Sequence, residues 1–151
     1  MIEGVRYTHT NVIARDWRAL ASFYESVLGC LPVPPERDYT GSELDDITGV
    51  AGSHLVGAHL RLPGGGPGGP TLEIYQFTPQ ADGAVPAINR PGLAHLAFEV
   101  DSVDAALEQV LSAGGGVVGE IATLTTSTGA HVTLCYATDP EGNIIELQSW
   151  S

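Results

Sequence analysis

The sequence predicts an α+β fold built from two tandem βαβββ modules. Two amphipathic helices, over 17–28 and about 102–113, each follow a stretch that alternates between polar and apolar residues, and both helices stop at glycine. Further strand-like stretches follow each helix. Because the two halves share this order of elements, the chain is an internal duplication.

The first half contains one clear helix and three clear strands. Asp16 is a suitable N-cap, the apolar residues that follow recur at helical spacing, and Gly29 supplies the C-terminal stop. The expected elements are a strand over Val5–Ala14, a helix over Trp17–Leu28, a strand over His54–Leu62, a hairpin tip over Gly64–Pro70 and a strand over Thr71–Phe77. The proline-rich and acidic stretch from Pro32 to Asp46 has no pattern that assigns it to a helix or a strand.

The second half repeats this plan. Asp101 or Ser102 caps a helix that runs to Ala113, before three consecutive glycines. The expected strands are Pro91–Val100, Val117–Leu124, His131–Tyr136 and Ile144–Trp150, the last opened by a turn over Asp139–Asn143.

A polar stretch with Pro79, Gly83 and Pro86 separates the halves. We therefore expect one domain over residues 1–151, with module 1 at about 1–78, a linker at 79–91 and module 2 at about 92–151.

Composition excludes several classes of protein. The 151 residues are 43% apolar and 16% charged, as in globular proteins, and no run approaches the ~18 apolar residues of a membrane span. A net charge of −12, with six Arg and no Lys, argues against nucleic acids and anionic membranes as partners. The N-terminus lacks the features of a signal peptide, so we expect a cytoplasmic protein whose Cys30 and Cys135 are buried free thiols.

Four polar residues occupy matching places in the two halves. His9 and His95 stand in the first strand of their halves, and each is followed twenty residues later by a glycine near the end of the helix. Glu73 and Glu146 stand in the last strands. Pairing of the two halves would bring two His and two Glu into one cavity.

Two imidazoles and two carboxylates form a set of ligands that suits a divalent ion such as Ni, Co, Zn, Mn, Mg or Fe. Such an ion polarises a carbonyl and stabilises an enediolate, while a carboxylate removes a proton from the neighbouring carbon. The set therefore predicts proton abstraction alpha to a carbonyl, on a small molecule with two adjacent oxygens.

Further residues are candidates for binding the substrate. Tyr7, Asn11, Tyr75 and Phe77 share strand faces with the proposed ligands. An anionic group of the substrate could be bound by Arg61 or Arg90. We expect the remaining histidines, His54, His59 and His131, at the surface.

Several motifs together resemble the vicinal oxygen chelate superfamily. They are Thr8-His9-Thr10, Phe23-Tyr24 and Val27-Leu28-Gly29 in the first helix, Leu72-Glu73-Ile74, Leu93–Phe98, and Asp139-Pro-Glu-Gly-Asn-Ile-Ile-Glu146-Leu. That superfamily contains glyoxalase I, methylmalonyl-CoA epimerase, extradiol dioxygenases and the fosfomycin and bleomycin resistance proteins. The resemblance implies a half-open metal-binding barrel, a homodimer, and His9, Glu73, His95 and Glu146 as metal ligands.

Within the superfamily, a site with four protein ligands resembles those of the glyoxalase I and epimerase branch. The resemblance to that branch implies Glu146 and Glu73 as the acid and base. Members that bind glutathione carry Arg and Asn where this chain has Ile13 and Phe77. The resemblance therefore implies a metal-dependent isomerase or epimerase, acting through a metal-stabilised enediolate on a hydroxy-ketone, cyclitol or acyl-thioester. A glyoxalase I-type lyase, a non-haem Fe(II) extradiol-type dioxygenase and a drug-binding resistance protein remain alternatives.

Overall fold

The structure, a computed structural model, describes residues 2–151. The chain forms two compact units, Met1–Asp82 and Gly83–Ser151, and the boundary falls inside the polar linker. Each unit has a sheet with a helix after its first strand, so the predicted α+β fold of two βαβββ modules is confirmed.

The elements of the first unit are β1 (His9–Ile13), α1 (Trp17–Leu28), β2 (Leu31–Thr40), α2 (Ser42–Thr48), β3 (His54–Arg61) and β4 (Thr71–Thr78). Those of the second unit are β5 (Leu96–Glu99), α3 (Val103–Ser112), β6 (Gly116–Val117), β7 (Ala122–Thr125), β8 (His131–Thr138) and β9 (Ile144–Trp150).

The sheet of the first unit has the order β1-β4-β3-β2, with β1 parallel to β4 and the other pairs antiparallel. In the central strand β4, Leu72 and Ile74 are fully buried on the face that packs on α1. Glu73 alternates with them and projects from the opposite face. Helix α1 begins and ends as predicted: Asp16 accepts hydrogen bonds from two backbone amides of the first turn, and Gly29 closes the helix at φ 68°.

The unassigned proline-rich stretch forms both a strand and a helix. Prolines lack the amide that a central strand needs, but β2 lies at the sheet edge. Its pairing with β3 is interrupted between Val33 and Arg37, which accommodates Pro34 and Pro35. The short helix α2 follows, and its buried Leu44 packs against Leu55 and Tyr75.

The sheet of the second unit has the order β5-β9-β8-β6, and β7 also pairs with β8. The single strand predicted over Val117–Leu124 is divided into β6 and β7. Strand β5 is shorter than predicted and starts at Leu96, opposite Ile145; residues before His95 would lie beyond the start of β9 at Ile144 and have no strand to pair with. For the same reason β1 begins at His9, opposite the first residue of β4.

The prediction of two buried free thiols is confirmed. Burial, with a contribution from the negative charge of Glu25, raises the pKa of Cys30 to about 11. In residues 2–151, no helix is both long enough and apolar enough to span a membrane.

Gly57 of β3 lies where no side chain can be accommodated without movement of its neighbours. A Cβ atom there would lie 2.2 Å from the carbonyl oxygen of Ile74 and 2.3 Å from Cδ1 of Tyr75. We expect Gly57→Ala to lower the free energy of unfolding by about 1–3 kcal/mol, measured by urea denaturation. Gly68→Ala, in the hairpin tip with no atom within 4 Å, is the control and should change it by less than about 0.5 kcal/mol. Equal stability of the two variants would contradict the close packing of Tyr75 over β3.

Candidate functional site

In the first unit, His9 and Glu73 lie side by side. Strands β1 and β4 are parallel neighbours, and their register sets Asn11 beside Glu73. His9 Nε2 is 3.3 Å from Glu73 Oε2, and Asn11 Nδ2 donates a hydrogen bond of 3.1 Å to the same oxygen. The residue Glu73 is only 8% exposed, so these contacts replace much of the hydration that its carboxylate loses.

The other carboxylate oxygen, Oε1, is held from the opposite side. The Tyr75 hydroxyl donates to it at 3.2 Å, and His59 Nε2 lies 2.9 Å from it. His59 stands directly across from Glu73 in the antiparallel pair of β3 and β4. Its Nε2 is also 2.8 Å from the Tyr75 hydroxyl, and its Nδ1 is 3.2 Å from Thr71 Oγ1. Four side chains therefore hold the Glu73 carboxylate.

Burial changes the acid–base properties of two of these neighbours. Burial lowers the pKa of His59; the charge of Glu73 opposes this effect, while Arg37 and His9 add to it. Burial also raises the pKa of Tyr75 well above its usual range, and the charge and hydrogen bond of Glu73 add to this effect. The phenol therefore remains a neutral donor to Glu73.

In the second unit, the corresponding pair is His95 and Glu146. His95 precedes β5, and its Nε2 lies 3.1 Å from Oε2 of Glu146, which is 8% exposed in β9. Tyr136 of β8 stands directly across from Glu146. Burial, the hydrogen bond to Glu146 and its negative charge raise the pKa of Tyr136. The Nδ1 atom of His95 is buried without a hydrogen-bond partner in residues 2–151.

The two half-sites are thus related but unequal. In each, a histidine on or beside the first strand contacts a buried glutamate of the last strand. The residue opposite that glutamate differs, because it is His59 in the first unit and Tyr136 in the second. Neither residue was predicted from the sequence. The prediction that His59 lies at the surface is wrong, since its side chain is only 18% exposed, and Tyr136 was not among the candidate residues.

The donor atoms fit a divalent ion in their chemistry and spacing. Two neighbouring ligands of an octahedral ion, with bonds of about 2.1 Å, lie about 3.0 Å apart. The nitrogen-to-oxygen separations of 3.3 Å in the His9 pair and 3.1 Å in the His95 pair are close to this value. No group of three or more His, Cys, Asp or Glu side chains within residues 2–151 is arranged to hold an ion. Each pair would therefore need further ligands, and the assignment of the four residues as ligands remains a prediction.

The residues predicted to bind substrate fall into three groups. Asn11 and Tyr75 contact Glu73, and Phe77 packs beside Tyr75. Arg61 follows His59 on the same face of β3. Tyr7 precedes β1 and is largely exposed, and its hydroxyl forms a hydrogen bond with that of Thr10. Arg90 is exposed and donates a hydrogen bond to the Val85 carbonyl.

Comparison with known families decides the relationship of this chain. A family model described as the Glyoxalase/Bleomycin resistance protein/Dioxygenase superfamily matches residues 6–147. The chain belongs to this superfamily. The match spans both units and all four glutamate and histidine positions discussed above. No curated protein sequence is significantly similar to the chain.

Solved structures agree with this fold. A glyoxalase family protein from Bacillus cereus has a TM-score of 0.83 and 21% identity, with coverage of 99% of this chain and 96% of that one. The fosfomycin resistance protein FosX from Listeria monocytogenes, solved with Mn(II) and a sulfate ion, has a TM-score of 0.53 and 15% identity, with coverage of 99% and 93%. A domain of the same superfamily from Frankia has a TM-score of 0.61 and 19% identity, with coverage of 100% and 94%.

The contact between Tyr75 and Glu73 should contribute to stability. We expect Tyr75→Phe to lower the free energy of unfolding of the metal-free protein by about 1–3 kcal/mol, because it leaves a buried carboxylate with one donor fewer. Tyr39→Phe is the matched control, since the Tyr39 side chain is about half exposed, and it should cost less than about 0.5 kcal/mol. Urea denaturation of both variants checks this, and a loss equal to that of the control would show that Glu73 does not depend on the phenol.

Proposed function

We propose that this chain is a divalent-metal-dependent isomerase or epimerase that moves a proton alpha to a carbonyl. Its substrate is a small hydroxy-ketone, cyclitol or acyl-thioester. The observation that supports this most strongly is the duplicated pair of histidine and buried glutamate, with nitrogen-to-oxygen separations of 3.3 and 3.1 Å. Membership of the superfamily adds weight, since the Listeria relative in fold was solved with Mn(II).

The proposed ligands are His9, Glu73, His95 and Glu146, and the ion is one of Ni, Co, Zn, Mn, Mg or Fe. A bound divalent ion would supply polarisation of the carbonyl and stabilisation of the negative charge that forms on its oxygen. Neutral imidazoles and ionised carboxylates are the forms that bind such an ion. Burial lowers the pKa of the neighbouring His59, which favours its neutral form beside these ligands.

The two glutamates are suited to different tasks. Glu73 is held by four side chains on both carboxylate oxygens, which fixes its position. Glu146 makes polar contacts with His95 and Tyr136. A carboxylate with fewer contacts is freer to approach the proton, so we assign the proton transfer chiefly to Glu146. Glu73 would serve mainly as a fixed ligand and as the second acid–base residue.

The test is deuterium uptake from D2O, followed by mass spectrometry. The protein loaded with Co or Ni is incubated with α-hydroxy ketones, α-ketoaldehyde hemithioacetals and 2-methylmalonyl thioesters. We expect exchange at the carbon next to the carbonyl of an α-hydroxy ketone or a 2-methylmalonyl thioester, lost on chelation and reduced at least about 100-fold by Glu146→Gln. Glu108→Gln, an equal change of charge at an exposed position of α3, should exchange at the wild-type rate.

Absence of exchange with metal bound would contradict the proposal. Consumption of oxygen with Fe(II), unaffected by Glu73→Gln, would indicate the dioxygenase class instead. Binding of a drug without turnover, unchanged by chelation, would indicate a resistance protein. Exchange confined to the hemithioacetals would indicate the glyoxalase I-type lyase.

A further inference from the structure

Arg37 lies on the same face of the first sheet as the candidate site. Residues directly opposite one another in paired strands project to the same side. Arg37 of β2 is opposite Gly57 of β3, which is opposite Tyr75 of β4. The neighbouring row contains Val33, His59, Glu73 and Asn11 in the same strand order. Arg37 therefore stands two strands, or about 10 Å, from Tyr75 across the sheet.

The residue of β3 that lies between Arg37 and Tyr75 is a glycine and has no side chain. Gly57 occupies the position that separates Arg37 from Tyr75, and the Tyr75 ring leans over it, since an added Cβ would lie 2.3 Å from Cδ1. The guanidinium is also electrostatically close to the site. Its positive charge adds to the effect of burial in lowering the pKa of His59, and it opposes the effect of burial on the pKa of Tyr75.

The Arg37 guanidinium has no carboxylate partner among residues 2–151. Its one hydrogen bond there goes to the backbone carbonyl of Pro35. Arg18, by contrast, makes a two-pronged ion pair with Glu36 at 2.7 and 2.8 Å. With eighteen acidic residues and six arginines in the chain, a half-buried arginine that faces the site without a carboxylate is available for an external anion. Its planar fork matches carboxylate and phosphate groups.

We propose that Arg37 binds an anionic group of the substrate, a carboxylate or a phosphate, beside the reacting end near Glu73 and Tyr75. This inference rests on the proposed function for the identity of that reacting end. It narrows the substrate to an anionic hydroxy-ketone or acyl compound. It also adds a third arginine to Arg61 and Arg90, and places it in the row next to Glu73.

Two measurements separate this inference from the proposed function. The first is the affinity of the metal-free protein for inorganic phosphate, measured by NMR titration. The second is deuterium exchange by the Co-loaded protein into dihydroxyacetone and dihydroxyacetone phosphate, which share a hydroxy-ketone and differ in the anion. Both are made on the wild type, Arg37→Gln, Arg37→Lys and Arg18→Gln. Arg18→Gln is the control, because it removes one positive charge from the exposed ion pair between Arg18 and Glu36.

We expect Arg37→Gln to weaken phosphate binding at least about tenfold, with a smaller effect of Arg37→Lys and no effect of Arg18→Gln. In the exchange assay, Arg37→Gln should raise KM for the phosphorylated compound by a similar factor and should change KM for dihydroxyacetone by less. Loss of phosphate binding in Arg37→Gln, without exchange by the wild type into either compound, would support the anion site and count against a hydroxy-ketone as the substrate. If the wild type catalyses exchange but Arg37→Gln binds phosphate as tightly as the wild type, the role of Arg37 is overturned and the proposed isomerase activity stands.

Discussion

Burial of a carboxylate in a central strand is the constraint on which both candidate half-sites depend. Glu73 and Glu146 stand in strands whose other face is apolar and packed on a helix, and each is 8% exposed. Removal of an ionised carboxylate from water costs several kcal/mol unless donors replace the lost hydration. The polar residues around them on β1, β3 and β8 satisfy this requirement, so polar side chains collect on one face of each sheet.

The duplication satisfies this constraint in two ways. Glu73 meets His59 across the strand pair and is held by four side chains, whereas Glu146 meets Tyr136 and has fewer contacts. This difference is consistent with the proposal that Glu73 is a fixed ligand while Glu146 transfers the proton. The same first sheet also carries Arg37, so fixation of one carboxylate and recognition of an anion are functions of one surface.

Helices and strands could be predicted from the sequence more fully than the pairing of residues between strands. Helix α1 and strand β9 follow from periodicity, caps and turn residues that act over a few positions. Strand β2 did not, because its prolines argue against a strand unless its place at the sheet edge is known. The partner Tyr136 was accessible to sequence reasoning, since a hairpin centred on the turn at Glu141 sets residue 136 opposite 146. His59 and Arg37 depend on the register of β2, β3 and β4, which a glycine-rich tip and a bulge leave open.

The central proposal is that His9, Glu73, His95 and Glu146 together bind one divalent ion. X-ray absorption spectroscopy of the Co(II)-loaded protein, with the metal content measured on the same sample, tests it most directly. We expect one ion per chain, with two imidazoles and otherwise oxygen ligands, and the loss of one imidazole in either His9→Ala or His95→Ala. Two ions per chain with a single imidazole each would show that the half-sites bind metal separately, and would contradict it.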